Sequence, residues 1–335
     1  MQAAAARHGR AVLLYASRAL IVLALLAALG ALTWRNPLLS DEPIGRVPVL
    51  NWLLYAYGAP GLLLAAYAWR IRGAREERGL HFATAAAAVI LLFAMVSLQT
   101  RHAFHLDDVR EPARSLREVA TYAVLWLAAA LVTRAAAERW AREILLWTSR
   151  GLIVAALLAA AVTLTDRNPL WRAEWIGDSP ALNWLLYAYG LPAALLCLCG
   201  LQLQARPDDR PWRHAVGPAA LILLFALVTL ETRRFFHHPQ LTGPAPTPAE
   251  WYAYSAAWVG LGVALLIAGV RAGGLTLRWA SLVVMLIAVG KVFLFDTAQL
   301  RDLYRVAARL GLGVSLMALA FIYQRYVFRR APLPA

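Results

Sequence analysis

Ten apolar stretches alternate with short polar breaks along the 335 residues, at about 14–33, 47–69, 80–100, 118–133, 147–165, 180–203, 214–232, 250–270, 279–295 and 307–327. A helix of roughly 20 apolar residues crosses the hydrocarbon core of a bilayer, so this pattern predicts about ten transmembrane helices. Several stretches hold only about 15 strictly apolar residues, and their flanking Ser, Thr, Trp and Arg complete the span by snorkelling or local thinning. The breaks are rich in Arg, Asn and Pro, the residues that stop helices and mark the edge of a membrane.

The pattern is also written twice. The nine residues Leu50-Asn51-Trp52-Leu53-Leu54-Tyr55-Ala56-Tyr57-Gly58 return unchanged as Leu182 to Gly190, a shift of 132 positions (50 to 182). At the same shift Asn36-Pro37-Leu38 recurs as Asn168-Pro169-Leu170, Arg101 as Arg233, Phe104-His105 as Phe236-His237, Glu118 as Glu250, Tyr122 as Tyr254 and Trp126 as Trp258. Four stretches lie in each copy, and the last two form half of a third, in which Arg278 aligns loosely with Arg150. The expected fold is an all-α polytopic membrane protein with two parallel four-helix repeats and a terminal helix pair. The expected divisions are 1–148, 149–277 and 278–335. An even number of helices per copy returns the chain to its starting side, which puts the pseudo-symmetry axis along the membrane normal.

Composition agrees: 61% of residues are hydrophobic, 16% are charged, and the mean hydropathy is +0.57. A net charge of +14 raises nucleic acid as a partner, but the arginines sit between apolar stretches and form no basic face. They track membrane sidedness instead. Loops on the side of the N-terminus carry nineteen arginines against six acids, and the opposite side carries fourteen bases against thirteen acids. This bias places both termini in the cytoplasm. Arg7 and Arg10 before an apolar run resemble a signal peptide, but Ser17-Arg18 repeats as Ser149-Arg150, so the first stretch is expected to be a retained helix.

With that topology the repeated polar residues gather at the outer helix ends. Arg35-Asn36 and Arg167-Asn168 follow the first and fifth stretches. Asn51 and Asn183 are expected about one turn inside the next helices. Arg101 and Arg233 end the third and seventh, while Glu118 and Glu250 begin the fourth and eighth. Each has a structural reading, as helix stop, helix-dipole partner or interhelical bond. Together they also form a candidate outer-face site for an anionic or sugar-like group.

Lys291 stands apart. It is the only lysine beside 32 arginines, and it lies inside the ninth apolar stretch. A charge at that depth marks a candidate site with a partner, for which Asp296 and Glu231 are the candidates. His102, His105, His237 and His238 follow the repeated arginines, but a solvated loop fits them better than a metal site. Cys197 and Cys199 lie in an apolar stretch and read as packing. No cofactor or metal is expected, and no Walker loop, Gly-x-Ser-x-Gly or His-Glu-x-x-His motif occurs. Asp41-Glu42, with Glu174 and Asp178 near the same place in the second copy, is a weak acid/base pair of the kind membrane glycosyltransferases use.

The combination of Arg-Asn-Pro-Leu, Leu-Asn-x-Leu-Leu-x-Ala-Tyr-Gly-x-Pro, Arg-x-x-Phe-His, the run Ala249 to Trp258, Lys291 to Asp296 and the closing Tyr-Gln-Arg resembles a family of bacterial predicted membrane proteins, domain of unknown function 2339. Members are usually longer, so the chain is expected to match their later part or to be a short member. The resemblance implies a multi-pass protein of the bacterial inner membrane and carries no activity onto these residues. The leading expectation is a protein that binds or transports a small polar or lipid-linked envelope component, with the bilayer as its partner. Other envelope proteins are further candidate partners, and nucleic acid is not. The alternatives are an enzyme on an envelope glycolipid, with Asp41, Glu42, Glu118 or Glu250 as acid/base, and a non-catalytic scaffold.

Overall fold

The computed structural model describes residues 2–40, 44–45, 47, 49–73, 77–106, 108–112, 114–140, 143–180, 182–243, 245–296 and 303–326. Among them there is no strand. Ten α-helices follow one another: α1 Gln2–Leu32, α2 Ala59–Ile71, α3 Arg78–Phe104, α4 Leu116–Trp140, α5 Glu143–Leu164, α6 Leu191–Gln202, α7 Arg210–His237, α8 Pro248–Arg271, α9 Leu275–Lys291 and α10 Leu303–Tyr326. Each falls on one of the ten apolar stretches. A helix satisfies its own backbone polar groups, which is the requirement a lipid environment imposes. Six segments are long and apolar enough to cross a membrane: Tyr15–Leu32, Arg78–Phe104, Leu116–Trp140, Glu143–Leu164, Pro207–His237 and Pro248–Arg271. Leu186–Gln202 is an apolar helix of shorter length.

The repeated nonapeptide has a local form that its hydrophobic pattern does not announce. Leu54–Gly58 and Leu186–Gly190 are π-helical and lead directly into α2 and α6. Ala59 and Leu191 close the wide turns by donating to Leu54 O and Leu186 O. Pro60 and Pro192 follow at once; neither has an N–H to give, and each ring crowds the carbonyl four residues back. A widened turn relieves that crowding. The glycine in each motif is set by packing. A Cβ on Gly58 would lie 2.6 Å from Met95 Sδ, and one on Gly190 would lie 2.7 Å from Leu186 Cδ1 and 3.2 Å from Leu227 Cδ2.

The chain forms two compact units, Met1–Arg114 with Val132–Gly151, and Ser115–Leu131 with Leu152–Ala335. The division passes through α4 and α5, whereas the repeat in sequence divides at 148/149. In the first unit α1, the π-helical turn with α2, and α3 pack around Ala28, Leu53, Tyr57, Leu64, Leu91 and Leu98. In the second, a larger core runs from Leu116, Leu127 and Ile153 through Leu185, Tyr189 and Leu196 to Leu223 and Leu230. There α6 packs on α7, α7 on α8, and α8 on α9. The α8–α9 contact is close because Gly262 and Gly269 face it: a Cβ on Gly262 would sit 2.8 Å from Met285 Cγ, and one on Gly269 2.9 Å from Arg278 Cγ.

Candidate functional site

Many of the repeated polar residues make matching bonds in the two sequence copies. Asn36 donates to Leu32 O at 3.2 Å and accepts from the Leu38 N–H at 3.0 Å; Asn168 does so with Leu164 O and Leu170 at 3.0 Å each. Both asparagines therefore close the preceding helix and fix the turn after it. The following loops also agree. Gly45 and Gly177 take positive φ of 94° and 85°, and the Trp52 and Trp184 N–H groups return to Ile44 O and Ile176 O at 3.1 and 2.9 Å. Tyr57 donates to Ala31 O at 2.6 Å, and Tyr189 to Thr163 O at 2.7 Å, which ties each nonapeptide to the helix before it.

Asn51 and Asn183 stand just before their helices rather than one turn inside them. Asn51 Oδ1 accepts from the Leu53 N–H at 3.1 Å, and Asn183 Oδ1 from the Leu186 N–H at 2.9 Å. They are caps, because a short side-chain carbonyl satisfies a first-turn N–H that has no helical partner. Each also reaches the next helix: Asn51 Nδ2 donates to Gln99 Oε1 at 3.0 Å, and Asn183 Nδ2 to Glu231 Oε1 at 2.6 Å.

Arg101 and Arg233 hold down the loops that follow their helices. Arg101 Nε donates to Val109 O at 2.9 Å, and Arg101 Nη2 donates to Glu111 O. Arg233 Nε donates to Leu241 O at 3.0 Å and Nη2 to Gly243 O at 3.3 Å. In the same first-unit loop Asp108 accepts from the Arg110 backbone N–H at 2.9 Å, and that bond holds its carboxyl below the ordinary range. Glu118 and Glu250 are completely buried. Their backbone N–H groups are capped by Ser115 at 3.2 Å and Thr247 at 3.3 Å, and their Oε1 atoms accept from Tyr122 at 3.2 Å and Tyr254 at 2.8 Å.

In the second unit these groups join into one network. Glu250 accepts from Arg233 Nη1 at 2.9 Å through Oε1, while Oε2 lies 2.7 Å from His237 Nε2. Lys291, at the end of α9, extends beside it. Its ammonium donates to Ser255 Oγ at 2.7 Å and Trp251 O at 2.8 Å, and lies 5.1 Å from the Trp251 ring centre and 5.9 Å from that of Trp258. The indole faces stabilise the charge where burial withdraws it from water. Trp258 is itself fixed by donating to Thr229 Oγ1 at 3.1 Å.

Arg233, Lys291, Trp251, Tyr254, Trp258 and Thr229 line a cavity of about 280 Å³. Leu170, Leu241 and Pro246 complete its wall. Two cations therefore share one cavity with three aromatic side chains. Among the described residues no carboxylate lines it.

Other expected site residues lie apart from this cavity. Arg35 is exposed at the end of α1, and Arg167 pairs with Asp166 at 2.9 Å. Glu231, an expected partner of Lys291, is engaged by Asn183 and by Arg234 at 3.5 Å. Asp296 ends the π-helical turn Val292–Asp296, and its side chain lies outside the described residues, as do Asp41 and Glu42. Glu174 accepts from the Leu116 N–H at 3.1 Å and so caps α4. His105 joins Arg101 and Glu111, and His238 lies 3.7 Å from Asp178. No group of three His, Cys, Asp or Glu residues is placed to hold a metal among the described residues.

The profile of the predicted membrane protein family DUF2339 matches residues 1–158 and again residues 140–326. The chain belongs to that family. No curated protein and no solved structure matches it. The cavity of this DUF2339 protein and the groups that hold Lys291 include residues that a search for charges passes over. Trp251, Ser255 and Trp258 accompany Glu250 and Tyr254 on α8, and their spacings of three and four place them on one helical face. Ser115 and Thr247 were also legible in principle, since Ser/Thr three residues before Glu is a capping signature.

Proposed function

We propose that this DUF2339 protein binds, and in doing so serves to present or move, a small polar or lipid-linked component of the bacterial envelope. The observation that carries this reading is the second unit's cavity, where Lys291 and Arg233 meet Trp251, Tyr254 and Trp258. A pocket with apolar and aromatic walls and a few fixed polar groups is the usual form of a small-molecule site. These groups are also bonded within the protein, so it is the cavity between them, and not any want of partners, that favours binding over a pure scaffold. The acid/base enzyme reading draws no support from the cavity, because Glu250 is held by Arg233, Tyr254 and His237 and Glu118 is capped and bonded to Tyr122.

The finer architecture belongs to the same proposal. Ten helices on ten apolar stretches support ten spans, four beyond the six helices that qualify by length and composition. The bonds repeated at a shift of 132, and a family profile that matches twice, support two parallel repeats. Arginine bias supports cytoplasmic termini and an outer-facing cavity in the inner membrane.

The test is native mass spectrometry of the full chain, released gently from its own membrane. A discrete adduct is expected on the wild-type protein and is expected to be lost from Lys291→Ala and Trp258→Ala. The same adduct on all three proteins, or none on any, overturns the reading.

A further inference from the structure

We infer that the ligand of this cavity is a phosphate ester of about glycerol or sugar size, bound through Lys291; this rests on the proposed binding reading. Three observations lead there. The lining has two cations and, among the described residues, no carboxylate, so it favours an anion. The Arg233 fork is directed to Leu241 O, Gly243 O and Glu250, all inside the protein, and Glu250 balances its charge at 2.9 Å. The arginine fork serves carboxylate and phosphate alike, whereas lysine binds phosphate as a compact point charge. The cavity's volume of about 280 Å³ falls just below the roughly 300–1,000 Å³ of drug-sized ligand sites, so it suits a headgroup rather than an acyl chain.

Comparison of the two sequence copies isolates the residues concerned. At a shift of 132, Arg233, Tyr254 and Trp258 meet Arg101, Tyr122 and Trp126. In α9 a shift of 132 pairs Trp279 and Ser281 with Trp147 and Ser149, while Arg278 matches Arg150 at 128, so no single shift fits this helix throughout. At 132, Lys291 meets Ala159, and Trp251 meets Val119. The shared residues build the helix ends; the Trp251 indole is an addition of the second copy, and the Lys291 ammonium comes from the terminal helix pair that follows it. Their chemistry, a buried positive charge beside aromatic faces, is that of a site for a phosphate on a small polyol or sugar ring.

The experiment follows tryptophan fluorescence of the full chain in nanodiscs. Glycerol 3-phosphate is titrated into phosphatidylcholine discs, and separate discs contain phosphatidylcholine and phosphatidylglycerol in equal parts. Glycerol and glycerate serve as neutral and carboxylate controls. A saturable change with glycerol 3-phosphate supports a soluble phosphate ester, and a change confined to phosphatidylglycerol discs supports a lipid-borne one. In either case Lys291→Ala should weaken binding by about 30-fold or more, and Lys291→Arg by less. Lys291→Met serves as a second variant of similar length, with a cooperative thermal melt as the check that it is folded. Binding of glycerol or glycerate as tight as that of the phosphate ester overturns the ligand class but leaves the cavity a binding site. No response to any phosphate probe overturns the class too, and the broader reading falls with it only if native mass spectra also lack the adduct.

Discussion

Glu250→Gln is the substitution whose consequence the structure defines best. The side chain is completely buried and accepts from Arg233 at 2.9 Å and Tyr254 at 2.8 Å, with His237 at 2.7 Å. Gln keeps the shape but removes the charge, leaving the Arg233 guanidinium buried without that counter-ion. Breaking one partner of a buried pair costs about 3–5 kcal/mol. At about 2–4 °C per kcal/mol for a unit of this size, the melting midpoint of the detergent-solubilised protein should fall by about 6–20 °C. Replacing both partners, as Arg233→Met with Glu250→Leu, should cost less than the sum of the two single changes, because neither charge is then stranded. The loop carbonyls of Leu241 and Gly243 still lose their donor, so recovery should be incomplete. A fall of less than about 2 °C for Glu250→Gln would show that the pair is solvated, and the reasoning would fail.

Gly190→Ala places a methyl 2.7 Å from Leu186 Cδ1 and 3.2 Å from Leu227 Cδ2, and should cost about 1–3 kcal/mol in a thermal melt. Gly30→Ala in α1 has nothing within 4 Å and should leave the melt unchanged or raise it slightly. Tyr189→Phe removes the bond to Thr163 O and should cost about 0.5–1.5 kcal/mol, read from the same melts. Asn183→Ala removes both a helix cap and the 2.6 Å bond to Glu231, and its loss of about 1–2 kcal/mol should exceed that of Tyr189→Phe; the reverse order would refute the capping role.

Apolar runs long enough to span a bilayer can fold in few ways, so the ten helices and their order were legible from hydropathy alone. The repeat made the recurring Asn, Arg and Glu legible as a set. It left their roles open, because a residue that caps a helix and one that lines a site can recur equally well. Asn51 and Asn183 turned out to be caps because Asn satisfies a first-turn N–H, a local preference that apolar run length obscures. Arg233 lines the cavity while its fork also ties down the loop after α7, a double placement that residue type and spacing do not reveal. The π-helical turns escaped for another reason: they follow from crowding by Pro60 and Pro192, to which hydropathy is blind. Lys291 was legible by its rarity, whereas its neighbours Ser255, Trp251 and Trp258 required the packing of α9 on α8.

Because Lys291 is the only lysine, its reactivity can be read without ambiguity in a peptide mass spectrum. The decisive measurement is acetylation of Lys291 in intact cells by a membrane-impermeant succinimidyl ester, with and without the phosphate ester that saturates the fluorescence change. An outward-opening site predicts modification from outside the cell, slowed when the ester is bound. Modification that requires the membrane to be breached, or that proceeds at the same rate with the ester present, would contradict it.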